Sequence, residues 1–326
     1  MKIGKLSTEK LKELIFSNLN KKRKEILVAP NVGEDCAYVD FGDYVCVMST
    51  DPITGTSEEI GKLAVHITCN DIASSGVSPL GIMLTIMAPV GTTEEDIKNI
   101  MIDASNEADK LNVDIIGGHT EITDAVNRIV ISSTGIGKQV KNELVNKDKP
   151  KTGDLIVLTK GAGIEGTGII CFEKEEELKR VFGESIVKDG KSLLDKISVV
   201  KEGIIAGKLG TSCMHDVTEG GVLGAVWEMC DLYGLGCSIY NDKIYINEST
   251  KLVCEHYNIN PLRLISSGSM IIGIDKNKID ILKDRFDKEN IEFSVIGEFT
   301  DKGHILVGNS NKNIDPPYSD ELYKVI

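Results

Sequence analysis

The stretch Ile60–Ser74 constrains this chain more than any other. Ile60, Leu63, Ala64 and Ile67 recur at the three- and four-residue spacing of a single helix face, and Gly76 and Pro79 end the run. Asp71 lies four residues after Ile67 and seven after Ala64, which places it on that same apolar face. A carboxylate on a buried stripe is costly unless it is paired or bound to a metal. A cap or an ion pair would answer that cost, and so would a divalent cation shared with acids from elsewhere in the chain.

Three other acids are candidates for such sharing. Gly33-Glu34-Asp35-Cys36-Ala37 sets two acids after a glycine turn and before a strand, although an Asp-bearing turn is by itself ordinary surface chemistry. Asp51, in Ser49-Thr50-Asp51-Pro52, follows a predicted strand over 44–48. Functional side chains often project from strand ends, but Asp-Pro also starts many loops. Asp216 opens Asp216-Val217-Thr218-Glu219-Gly220-Gly221, between a short strand and a helix that Thr218 can cap. Mg2+ takes one or two carboxylates together with phosphates and waters, so a sparse set of this kind suits it.

Glycine-rich stretches supply candidate anion sites. Gly117-Gly118-His119-Thr120-Glu121 follows an apolar strand over 113–116 and reads either as a phosphate-facing loop or as a Gly-Gly hairpin. Gly61-Lys62 at a helix start can meet a phosphate or leave a solvated lysine. The loop from Lys160 through Gly161, Gly163, Gly166 and Gly168 can receive an anion or simply turn tightly. The spacing of the five histidines assembles no Ser-His-Asp or Cys-His arrangement.

The remaining pattern predicts an α+β chain in two domains, 1–150 and 151–326. Ser7 caps a predicted helix with Leu11, Leu14, Ile15 and Leu19 on one face, and Thr93 caps another that buries Ile97, Ile100, Ala104 and Ala108. Strands are predicted over 37–39, 80–87, 128–136, 155–159, 270–274 and 293–296. Helices are predicted over 192–208, 222–233 and 278–288, and the polar stretch 138–153 reads as the linker. The 326 residues carry a formal net charge of −13 with no basic block, which argues against nucleic-acid and anionic-membrane partners. The polar opening, the lack of a long apolar run and eight scattered cysteines with no CxxC pair predict a cytoplasmic protein with free thiols.

Taken in order, these motifs resemble the AIR-synthase (PurM-like) superfamily. That group includes aminoimidazole ribonucleotide synthase, FGAM synthase, selenophosphate synthetase, thiamine-monophosphate kinase and the HypE hydrogenase-maturation proteins. The residues 33–37 resemble its G(E/D)DAA element. Thr50-Asp51, Asn70-Asp71-Ile72-Ala73 and the residues 117–121 match its next landmarks, and 216–221 resembles D-x-T-x-G-G. The resemblance implies a two-domain PurM-like fold: an N-terminal domain whose sheet pairs with that of a second subunit in a homodimer, and a C-terminal α/β sandwich. It implies ATP in clefts at the dimer interface and Mg2+ held by Asp35, Asp51 and Asp71, with Asp216 approaching from the other domain. Gly33, Glu34, Lys62, Asn70, Gly117, Gly118, Thr120, Gly161 and Gly163 would then line the nucleotide, and His119 and Glu121 would face the acceptor.

The run Gly61-Lys62-Leu63-Ala64-Val65-His66 with Asn70-Asp71 is most similar to the HypE-like members, which use ATP to dehydrate a carbamoyl group on a C-terminal cysteine. Here the last cysteine is Cys254, and Glu219 stands where the HypE motif carries arginine. The resemblance therefore implies ATP-dependent activation of an amide-type or other acceptor. A nucleotide-binding maturation or regulatory protein without turnover, and a small-molecule kinase, are the alternatives.

Overall fold

Strands and helices alternate along the chain, the strands where β-branched and aromatic residues alternate with polar ones. The computed structural model describes residues 3–20, 23–28, 30–54, 56, 59–143 and 149–326. The first sheet holds β1 (Ala37–Asp40), β2 (Tyr44–Ile53), β3 (Pro79–Pro89), β4 (Asp114–Thr123) and β5 (Val130–Val140) in the order β1-β2-β5-β3-β4. Only the β3–β4 pairing is parallel. The second sheet holds β6 (Leu155–Thr159), β7 (Cys213–Asp216), β8 (Gly236–Tyr240), β9 (Met270–Ile274), β10 (Phe293–Thr300), β11 (His304–Val307) and β12 (Lys312–Asn313). Its order is β12-β11-β8-β10-β6-β9-β7, parallel only between β8 and β11. Mixed sheets in two layers with helices bear out the α+β, two-domain expectation.

The helices are α1 (Thr8–Lys10), α2 (Ile60–Ser74), α3 (Glu94–Leu111), α4 (Ile164–Glu173), α5 (Glu175–Phe182), α6 (Glu184–Ser192), α7 (Val200–Leu209), α8 (Gly221–Tyr233), α9 (Glu248–His256) and α10 (Ile279–Lys288). Helix α3 starts as its sequence predicts: the Thr93 hydroxyl accepts from the Asp96 N–H while the Asp96 carboxylate accepts from the Thr93 N–H. Helix α2 goes further than its stripe suggests, because all fifteen of its residues are buried. One side packs on β2, β3 and β5, and the other meets α3 and α7. Close crossings make this possible. A Cβ on Gly61 would stand 2.5 Å from the Ile100 carbonyl oxygen, and one on Gly203 would stand 2.2 Å from that of Ala73.

Several predicted boundaries shift, each for a tertiary reason. The predicted helix over 192–208 is broken by a 3-10 turn, Leu193–Lys196, before α7 begins at Val200. Asn70 explains the break: its amide donates to the Ile197 carbonyl at 2.8 Å and its oxygen accepts from the Val199 N–H at 2.8 Å. The expected strand 113–116 runs on through the Gly-Gly pair to Thr123, paired with β3 on both sides of a bulge at Ile116. The segment after Ser7 makes one α-turn followed by π and 3-10 turns. It leaves Leu14, Ile15 and Leu19 exposed, so the predicted stripe does not build a core. Of the polar stretch 138–153, residues 138–140 extend β5, and 144–148 lie outside the described residues.

The outer face of the first sheet is left uncovered and half apolar. Leu80, Met83 and Ile116 are each between 39 and 52% exposed there, beside Tyr44 at 43%. No helix among the described residues is long and apolar enough to cross a membrane.

The α2–α7 crossing carries the first test. Gly203→Ala forces a methyl group against the Ala73 carbonyl and should cost about 1–3 kcal/mol, the usual penalty of overpacking. Urea unfolding would read this as a lower midpoint, and an unchanged midpoint would show that the crossing yields freely.

Candidate functional site

Four aspartates from four separate elements face one cleft of about 600 Å³ between the two sheets. Asp71 comes from the last turn of α2, Asp51 from β2, Asp35 from the turn leading into β1, and Asp216 from the end of β7. Local chemistry fixes each position. Gly33 adopts φ +79°, and a Cβ there would crowd the Glu228 carbonyl of α8 at 3.1 Å, so the turn can swing Glu34 and Asp35 inward only with glycine. Ser74 donates to Asp35 at 2.9 Å, and Ser49 donates to Asp71. Asp35, His215 and Asp216 each bring a polar atom within 4.8 Å of the others.

The electrostatics are severe. Burial pushes the Asp71 carboxyl well above the usual carboxylate range, and the charges of Asp216 and Asp51 push it further. Its place at the negative end of the α2 dipole works in the same direction. Burial does the same to Asp216, reinforced by the charge of Asp35. Asp216 is 1% exposed, and neither of its oxygens has a hydrogen-bond partner among the described residues. Glu34 at the rim is raised to about 7 by burial and then by Asp35. Hard oxygen donors bearing excess negative charge are the donor set a divalent cation of the Mg2+ type prefers, so these residues fit such an ion.

One aspartate is compensated. The His215 imidazole stands 2.9 Å from Asp35 through Nδ1 and 3.2 Å from Glu228 through Nε2. Burial works against its protonation, but the Asp35 and Glu228 carboxylates outweigh burial and hold its pKa well above the usual histidine range. Glu228 in turn is held down at about 2: burial opposes this, while His215 and Lys5 overcome it, the latter by an ion pair at 3.1 Å. Lys5, Glu228, His215 and Asp35 thus form a chain of alternating charge.

The spacing of residues assigns no role to His215, nor to Glu228 and Lys5, which lie 13 and 210 residues from it. The immediate neighbourhood His215-Asp216 at a strand end was the one local signal. Spacing likewise assigns no role to Arg128 and Glu165, which line the same cleft.

Other predicted site residues lie elsewhere. Lys62 sits nine residues before Asp71, about 13 Å away along the helix. Its ammonium pairs with Asp195 at 2.8 Å and Glu59 at 3.4 Å. Asn70 is turned to the 197–199 backbone. Gly161 and Gly163 pack the start of α4 against Tyr245 and Thr250 rather than line the cleft. Gly117, Gly118, His119, Thr120 and Glu121 lie on β4 at the sheet edge. There the His119 and Glu121 side chains are 66 and 48% exposed and 3.2 Å apart. Gly118 has a structural reason, since a Cβ there would stand 2.0 Å from the Leu84 carbonyl oxygen of β3. All eight cysteines are free thiols.

A stability test follows from the unpartnered Asp216. A carboxyl whose folded pKa exceeds its unfolded value makes the folded state bind more protons above about pH 4. Stability therefore falls as pH rises from there toward the folded pKa. In EDTA, Asp216→Asn should be more stable than wild type at pH 7.5, on the order of 1–3 kcal/mol, with less advantage at pH 5. Urea unfolding at both pH values checks this, and a variant weaker than wild type at pH 7.5 would contradict it.

Comparisons with known proteins agree with this architecture. Residues 33–139 match the model for the N-terminal domain of AIR synthase related proteins, and residues 151–308 match the model for their C-terminal domain. A Methanocaldococcus jannaschii protein, provisionally named a hydrogenase expression/formation protein, is 27% identical over 334 residues, spanning 99% of this chain and 97% of that one. The crystal structure of a HypE–HypF complex matches with a TM-score of 0.78 at 23% identity, over 94% of this chain and 99% of that one. A hydrogenase maturation protein HypE in complex with ATP matches with a TM-score of 0.69 at 17% identity, over 98% and 94%. The two domain models together span most of the described residues, and the chain belongs to the AIR synthase related, PurM-like family.

Proposed function

We propose that this protein binds Mg2+ and ATP in the acid-lined cleft and phosphorylates, and so activates, an acceptor. The observation that carries the reading is Asp216, a buried carboxylate with two unpartnered oxygens facing Asp71, Asp51 and Asp35. A fold retains such a group where a cation completes it. The HypE protein with ATP bound, a structural neighbour of this chain, supports ATP as the ligand. Asp35, Asp51, Asp71 and Asp216 would hold the metal. When bound, Mg2+ neutralises phosphate oxygens as charge develops on them.

The chain's own residues supply the rest. Asp35 is oriented by His215 and Ser74, so its carboxylate is presented without searching rotamers. Arg128 lines the cleft as an exposed cation suited to phosphate oxygens. Ile53, Leu63, Ile67 and Ile169 give the same cleft apolar walls, which would limit water around the transfer. The bare half-apolar face of the first sheet supports a homodimer, in which β4 with His119 and Glu121 would join the site of a second copy. Residues 117–121 would act there, and the boundary near residue 150 would separate the nucleotide half from the acceptor half.

Two experiments test this reading. Calorimetric titration with AMPPCP should give saturable binding in Mg2+ and none in EDTA, and Asp71→Asn should weaken binding at least ~100-fold, the loss of one buried charged ligand. Unchanged affinity would remove Asp71 from the site. Light scattering should find a dimer that Met83→Glu converts to monomer, because a charge on the covered face would be buried unpaired. A wild-type monomer at tens of micromolar would sink the shared-sheet arrangement.

A further inference from the structure

The cleft has a second acidic wall, away from the four aspartates. Glu165, in the first turn of α4, is 3% exposed and lines the cleft beside Ser267, Glu219 and Tyr323. Most acids of this wall are answered. Glu219 accepts the Lys5 N–H and the Tyr323 hydroxyl, each at 2.8 Å. Asp320 accepts the N–H groups of Gly220, Ile265 and Leu322. Glu165 is answered least: the Ser267 hydroxyl and backbone are its hydrogen-bonding neighbours, and its Oε2 accepts no hydrogen bond among the described residues. Burial pushes it up to about 7, and the Asp320 and Glu219 charges add to this, while Ser267 pulls the other way.

The missing partner can be specified by chemistry. A neutral N–H would satisfy one lone pair but leave the mutual repulsion of Glu165, Glu219 and Asp320 in place. A second divalent metal is short of donors, because Glu219 and Asp320 are already committed to backbone and tyrosine donors and six oxygens are needed. A compact organic cation meets both demands, supplying donors and charge together.

We propose that this wall is the acceptor subsite and that it takes a small molecule through a protonated amine or amidine paired with the Glu165 carboxylate. Only its designation as the acceptor's end rests on the proposed Mg2+-nucleotide reading of the other wall. Glu219, in the place of the HypE arginine, then has a role: it fastens Lys5 and Tyr323 across the subsite and keeps the wall negative.

Thermal unfolding in Mg2+, with and without AMPPCP, tests the subsite at matched ionic strength. Ethylammonium and acetamidinium near tenfold their Kd should raise the melting temperature by about 2 °C, and ethanol and acetamide should not. Glu165→Gln, isosteric and neutral, should keep the nucleotide shift and lose the cation shift. Equal shifts from ethanol and ethylammonium in wild type, no cation shift at all, or a cation shift that survives Glu165→Gln would each overturn the proposal. The nucleotide shift is read separately: its absence from wild type would sink the nucleotide reading, and the cation comparison without nucleotide would still decide the subsite.

Discussion

Helix α2 is buried on every side, yet it carries a carboxylate in its last turn, where the helix dipole already disfavours negative charge. Asp71 cannot escape to solvent, because the first sheet closes one side of the helix and α3 and α7 close the other. The same packing brings Asp51, Asp35 and Asp216 to the one remaining opening. Ordinary folds avoid such convergence, since like charges at low exposure raise one another's pKa and favour opening of the structure. Here the scaffold holds the acids together and leaves the charge to be answered from outside.

The compensation that does exist is selective. Lys5, Glu228, His215 and Asp35 alternate in sign, and each lies within 3.2 Å of the next. This ties the opening segment of the chain and α8 to the turn that carries Asp35. Asp216 sits one residue from His215 and receives only the pull of its charge, with no hydrogen bond, its approach to the imidazole being 4.0 Å. A site that orients one ligand and leaves another bare is pre-organised for an incoming cation rather than satisfied in its absence.

Helix α2 also joins the two halves. Gly61 admits α3, Gly203 admits α7, and Asn70 takes up the backbone groups of the loop before α7. Residues that look like phosphate ligands when read in order thus turn out to be the joints that bring the two walls of the cleft within reach. Glu219 makes a comparable joint at the far wall, between the segments around Lys5 and Tyr323. The outer face of the first sheet, with Met83 and Ile116 exposed, is the part of the molecule that its own chain leaves without cover.

Much of this was legible in the order of residues. The spacing from Ala64 and Ile67 to Asp71 placed a carboxylate on a buried face, glycine before Glu34-Asp35 marked the turn, and the succession of five weak motifs pointed to the family. Those are short-range facts, and helix and strand periodicity encode which face a residue occupies. What such periodicity does not encode is the partner across the gap. Tertiary packing decided that Lys62 spends its charge on Asp195, that Gly118 serves a strand pairing, that Asn70 breaks a helix 127 residues away, and that His215 and Glu165 become site residues. Each outcome depends on which distant segment arrives at the other side, and in a dense interior the arriving atoms, not the local sequence, set the cost of every buried charge.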